Sequence, residues 1–144
     1  MQKRIIGIDV GNKRIGLAQS DLLGMLASPI GTFTRGEIFK KLHDLTDREP
    51  IETFVIGWPL TLAGMEGDAI HMVKSFIGEV KKEFPGIEII RYDERFTSVM
   101  AQKAILSSGA SKKKRQNKGL VDAVAASLLL QDYLDAKKLN RNKS

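Results

Sequence analysis

The sequence contains no cysteine, which excludes a disulfide framework, a thiolate metal site and a cysteine nucleophile. Such a chain can work in a reducing compartment, and its expected location is the cytoplasm. No apolar run approaches the roughly 18 residues needed to cross a bilayer. The opening MQKR leads into a short apolar stretch that Asp9 interrupts, so neither a membrane span nor an export signal is expected. There are only two histidines, and His43 and His71 fall on separate predicted helices without metal-ligand spacing; both read as structural. Neither GxSxG, GxxxxGK[ST] nor GxGxxG occurs, so a serine-hydrolase elbow, a Walker phosphate loop and a dinucleotide fingerprint are all missing.

What is present is positive charge. The 144 residues carry 23 Lys+Arg against 17 Asp+Glu, a net charge of +6, and a polyanion is the natural partner. The excess is uneven: KKKRQNK at 112–118 holds five basic residues in seven, and Lys137, Lys138, Arg141 and Lys143 follow towards the end. The plainer reading of both clusters is a solvated charge run.

The length fits one domain, able to bury roughly 68–70% of its unfolded surface. Strand and helix signals alternate along it without repeats or low-complexity linkers. Arg4–Val10 and Arg14–Ser20 flank Gly11-Asn12-Lys13 and read as a hairpin. A third strand is expected over Ser28–Thr34. In GEIFKKLHDLTDREP, Ile38, Phe39, Leu42 and Leu45 recur at helical spacing before Pro50 stops the helix. TFVIG at 53–57 reads as a buried strand, Asp68–Glu83 as a helix with Ile70, Val73, Ile77 and Val80 on one face, and IEIIRYDE at 87–94 as the last strand. Thr97 can cap a helix to about Ser107. A loop is expected over 108–119 and an apolar final helix over Leu120–Leu134.

The acids gain meaning from this order. Asp9 lies near the end of the first strand and Asp93 and Glu94 close the last, so parallel pairing would bring them to the sheet edge where ligands of open α/β sheets gather. Asp122 interrupts LVDAVAASLLL, and its same-face neighbours Ala125 and Ala126 are small enough to let that helix lie close to the sheet. A carboxylate taken into that margin is costly unless it is paired or binds a cation. Hard oxygen ligands without His or Cys favour Mg²⁺ or Mn²⁺, one ion or two. Two such ions about 3.5–4 Å apart suit phosphodiester hydrolysis. The bland readings are a strand-end acid bonded to its turn for Asp9, an ion pair with Arg91 or Arg95 for Glu94, and a helix-surface acid for Asp122.

Four stretches, DVGNKRIGLA at 9–18, VIGWPLTLAGMEG at 55–67, YDERFTS at 92–98 and NKGLVDAVAAS at 117–127, resemble in order the motifs of the YqgF/RuvX family of Holliday-junction-resolvase-like proteins. The resemblance implies an α/β, ribonuclease-H-like fold with a five-stranded mixed sheet, three antiparallel strands then two parallel ones, flanked by helices. It implies one nuclease domain over 1–138, followed by a basic, flexible tail at 139–144. The implied activity is metal-dependent phosphodiester hydrolysis in maturation of the 16S ribosomal RNA precursor, with ribosomal particles as further partners. Carried over residue by residue, the catalytic and metal-binding acids are Asp9, Glu94 and Asp122, and Arg95 is a phosphate contact. Lys112, Lys113, Lys114, Arg115 and Lys118 would flank the cleft as nucleic-acid contacts. Gly11 and Gly57 would allow close approach of the backbone. Two positions depart from the family pattern: Trp58 stands where leucine is common and Ala63 where aspartate often is. Trp58 reads as packing more than as a base-stacking platform.

Other readings stay open. DVGNKRIG also looks like the first phosphate loop of the actin and sugar-kinase superfamily, although those proteins are longer and need a second DxG loop. A non-catalytic RNA- or ribosome-binding module would use the basic excess but not the three acids. Within the nucleases, a DNA-junction resolvase is the alternative. If KKKRQNK guides a phosphate backbone, neutralising Lys112, Lys113, Lys114 and Arg115 will weaken RNA binding whatever its sequence. It will also flatten the salt dependence by about 0.7 per lost single-strand contact. Filter binding over a salt series reads this directly, and an unchanged slope removes the loop from the interface.

Overall fold

The computed structural model describes residues 3–59, 69–93 and 118–142, with side chains from 122 to 140 in the last of these. In chain order the elements are β1 (Arg4–Val10), β2 (Ile15–Ser20), β3 (Ala27–Phe33), α1 (Arg35–Arg48), β4 (Ile51–Trp58), α2 (Ala69–Glu83), β5 (Glu88–Asp93) and α3 (Lys118–Asn142).

The first strands form a hairpin because Gly11 makes the tight turn. Its N–H donates to the Arg14 carbonyl at 2.9 Å, and a Cβ there would sit 2.8 Å from that same oxygen. Thr34 leaves β3 to cap α1 instead of extending the strand. The Glu37 carboxylate reaches back to accept from the Thr34 N–H at 3.0 Å and its hydroxyl at 2.9 Å, closing the first turn of the helix. At the other end Glu49 takes extended backbone, its N–H donating to Leu45 at 3.1 Å, and Pro50 turns the chain into β4.

The five strands lie in the order β3-β2-β1-β4-β5. β1–β2 and β2–β3 are antiparallel, while β1–β4 and β4–β5 are parallel, the mixed sheet expected from the sequence. Alternation along the strands separates two faces. Ile6, Ile8, Phe54 and Ile56 pack with Ile38 and Leu42 of α1 and with Val73, Phe76, Ile77 and Val80 of α2. On the opposite face Ile5, Ala18 and Val55 meet Ala126, Leu130 and Leu134 of α3.

α3 lies unusually close. A Cβ on Gly7 would come 2.8 Å from Leu130 Cβ and 3.0 Å from the Ala126 carbonyl; on Gly16 it would come 2.1 Å from the Asp122 carbonyl oxygen. Strand glycines mark such backbone-to-backbone approaches, and Ala125 and Ala126, both buried, keep the helix side equally thin.

Helix α3 departs from its expected bounds. It starts at Lys118 and runs to Asn142, so 118–119 of the expected loop and 139–142 of the expected tail are helical. Neither proline nor glycine interrupts Asp135–Asn142, and Lys137 ties the last turns to β4 by pairing with Glu52 at 3.2 Å. The expected helix from Thr97 and the loop from 108 to 117 lie outside the described residues. Among those described, no helix is long and apolar enough to cross a membrane.

Two glycine-to-alanine substitutions should therefore move stability in opposite directions. Gly16→Ala forces backbone apart and is expected to cost about 1–3 kcal/mol. Gly78→Ala, on α2 with nothing within 4 Å of the added carbon, should gain about 0.4–1 kcal/mol. Urea midpoints at constant m-value test both.

Candidate active site

Parallel pairing brings the carboxyl ends of β1, β4 and β5 to one edge: Ile8 is level with Ile56, Gly57 with Tyr92 and Trp58 with Asp93. Asp9 is the last residue but one of β1 and only 5% exposed. It stands opposite Gly16 on β2, and directly opposed residues of antiparallel strands share a face. That is the face on which the Asp122 backbone rests over Gly16. Two of the expected acids, distant in sequence, are thus neighbours at one corner of the sheet.

A third group joins them. Arg14, where the hairpin turn enters β2, sets its Nε 3.3 Å from Asp122 Oδ2, with the side chains 38% and 28% exposed respectively. An ion pair this open contributes at most about 1 kcal/mol. Its larger effect is local, fixing the Asp122 carboxylate and offsetting charge beside a buried aspartate. Sequence reading missed Arg14 because nothing along the chain couples a turn cation to an acid on the last helix. Gly16, the residue that lets them meet, carried a signal: an isolated glycine within a strand.

Tyr92 borders the corner. It packs against Ala125 and Leu129 and meets the Tyr133 ring edge-on at 6.1 Å. Burial pushes its phenol above the ordinary value, and the carboxylates of Asp132, Asp135 and Asp93 push it the same way.

The remaining expected residues divide clearly. Gly57 follows Val55 by two and so belongs to the α3 face. Gly11 is accounted for by its turn. Lys118 opens α3 one turn before Asp122 instead of lying in a loop. Glu94, Arg95, Lys112, Lys113, Lys114 and Arg115 lie outside the described residues. Trp58, 8% exposed, is part of the α2-side core, and His43 pairs with Glu83 at 2.7 Å. Among the described residues no three His, Cys, Asp or Glu side chains group to hold a metal ion. The two acids brought to this corner are hard oxygen donors, the ligand type that suits Mg²⁺ or Mn²⁺.

The strand order, with an acid near the end of the first strand and another on a helix laid across it, defines a ribonuclease-H-like fold. Solved structures share that fold: Thermus thermophilus RuvC in complex with a Holliday junction substrate matches with a TM-score of 0.53 at 17% identity, covering 88% of this chain and 91% of that one. The fowlpox virus resolvase with its Holliday junction DNA gives 0.52 at 18%, covering 92% and 97%. The chain itself belongs to the RuvX family, whose model, described as Holliday junction resolvase, matches residues 3–136. Similar relatives named "Putative pre-16S rRNA nuclease" occur in Parabacteroides distasonis, 45% identical with 94% of this chain and 96% of the relative covered, and in Chlorobaculum tepidum, 45% identical with 93% and 94% covered.

The Tyr92 environment gives a test of the corner's geometry. In a Tyr133→Phe variant, which leaves one tyrosine, the ultraviolet titration of Tyr92 should have its midpoint above the free-phenol value of about 10. A phenol with a raised folded-state pKa favours the folded protein below its unfolded pKa and loses that contribution as pH climbs through the folded value. Stability should accordingly fall above about pH 10, and less steeply in Tyr92→Phe.

Proposed function

We propose that the protein is a divalent-metal-dependent nuclease that hydrolyses phosphodiester bonds in the precursor of 16S ribosomal RNA. The observation that carries this reading is Asp9, buried at the carboxyl edge of the parallel strands beside Asp122. Ligands of open α/β sheets bind at that edge, and carboxylates gathered there supply the hard oxygen donors that divalent cations take. Membership of the RuvX family supports nuclease chemistry, and the names of the relatives support the ribosomal RNA precursor as substrate.

In this reading Asp9, Asp122 and Glu94 hold the metal. Glu94 directly follows Asp93 at the end of β5, and it comes two residues after Tyr92, which packs towards α3. A bound Mg²⁺ or Mn²⁺ supplies activation of the attacking water and stabilisation of the leaving oxygen. The chain's own residues do the rest. Asp9 and Asp122 would fix where the cation sits at the sheet edge, Arg14 steadies the Asp122 carboxylate, and Arg95, Lys112, Lys113, Lys114, Arg115 and Lys118 would contact the flanking backbone. The working unit is a single domain acting on RNA in the cytoplasm, with ribosomal particles as partners.

Cleavage of labelled single-stranded RNA, duplex DNA and a four-way DNA junction with Mg²⁺ or Mn²⁺ separates the alternatives. Asp9→Asn and Asp122→Asn should each lose about a hundredfold or more in RNA cleavage while retaining RNA binding. Preferential cutting of the junction, which the family description favours, would make the protein a DNA resolvase instead. RNA bound equally by wild type and both variants, with no substrate cut, would make it a binding module.

A further inference from the structure

On the side of the sheet away from α3, a groove of about 440 Å³ runs between α2 and the outer strand β5. Among the described residues its lining is Lys74, Lys81 and Arg91, with Trp58, Gly78 and two isoleucines. We propose that this groove binds the phosphodiester backbone of the nucleic-acid substrate and leads it away from the candidate active site. The proposal rests on the nuclease reading above and names a second contact surface for the same substrate.

Position along the helix comes first. Lys74, Gly78 and Lys81 stand at i, i+4 and i+7, one stripe of α2. At 1.5 Å per residue the two lysines are about 10 Å apart along the axis, far enough for each to meet a different phosphate of one strand. Gly78 between them has nothing within 4 Å of where a Cβ would be, so the floor of the stripe is open to a bulky backbone. All three are exposed.

Direction follows from topology. α2 leaves after the carboxyl end of β4 and returns before the amino end of β5, so it runs antiparallel to both. Lys74 is therefore nearer the carboxyl edge, and Lys81 is farther from it. Trp58 and Arg91 mark the near end, Trp58 being level with Asp93 at the edge that also carries Asp9. A strand leaving the acid corner meets Arg91 first and then passes along the lysines.

Chemistry identifies the occupant. The Arg91 guanidinium stacks 4.5 Å from the centre of the Trp58 ring, and the ring itself is nearly enclosed. Trp58 is therefore a support for Arg91 and not a platform for a base. A guanidinium stacked on an aromatic face keeps its planar fork of N–H donors for phosphate oxygens. Two lysines and one such arginine along one groove read charge and not sequence, as contacts to a nucleic-acid backbone do.

The test uses the full chain and fluorescein-labelled single-stranded RNAs of about 4 and about 16 nucleotides, the range of site sizes for single-strand binders. In Lys74→Gln/Lys81→Gln the salt slope for the longer RNA should fall by about 1.4, and its affinity relative to the shorter RNA by about 25-fold at 0.1 M salt. Arg91→Gln should lower the same ratio independently. Unaltered thermal midpoints for these exposed positions show that folding is intact. An unchanged slope and ratio in folded variants overturns the groove and leaves the nuclease reading standing if RNA is still cut. A reduced slope with no cleavage by wild type supports the groove and sinks the nuclease reading.

Discussion

The architecture depends on one close contact, the seat of α3 on the β1–β2 hairpin. It exists because Gly7 and Gly16 present no side chain where the backbone at Ala126 and Asp122 comes down. A methyl group at either position must push the helix outward, and Asp122, nearest to its strand, would be lifted from Asp9. The contact is graded along its length. At the amino end of β1, Ile5 packs among Leu130 and Leu134 and supplies the apolar burial that holds the helix down. The middle is glycine against alanine. Only at the carboxyl end does the seam turn polar, with Asp9 opposite Gly16 and Asp122 paired to Arg14.

That gradient explains how the sheet tolerates a buried carboxylate. Burial of an ionised acid works against folding by several kcal/mol unless partners or a cation offset it. The α1/α2 face of β1, with Ile6 and Ile8 fully buried, supplies apolar burial worth roughly 1.5–3 kcal/mol per large side chain. Departures from local folding logic gather at functional sites, where stability from elsewhere can carry them. Asp9 is the one acid in an otherwise apolar strand, and it stands where parallel strands deliver ligands.

Alternation and turn residues marked β1 and the hairpin, and helical spacing marked α1 and α2, because these are local signals written every second or fourth residue. Asp9 was legible as an acid out of place, and Ala125 and Ala126 as a thin helix face. Thr34 was read as strand because its role depends on Glu37 reaching back, a capping signal hidden behind β-branched propensity. The extent of α3 was underestimated because its last turns are polar and are anchored by Lys137 to Glu52 across the fold. Arg14 beside Asp122 and Arg91 over Trp58 are products of register between distant elements. Asp93 and Glu94 were both legible as acids closing the last strand, the choice of Glu94 came from family resemblance, and the ribosomal substrate came only from resemblance and relatives.

The distribution of charge completes the physical picture. Carboxylates that gather a metal also repel the polyanion to be cut, and a net charge of +6 attracts it only weakly beyond the Debye length of about 8 Å at physiological salt. Cations must therefore stand within a few ångströms of the strand. Arg14 contributes little to this, since its charge is partly spent on Asp122. Lys74, Lys81 and Arg91 line the proposed groove on the other side of the sheet, away from Asp9 and Asp122. On the proposed reading, separating the two layers would resolve the conflict: the acids would stay where water meets phosphorus, and the groove cations where the chain leaving that point is restrained.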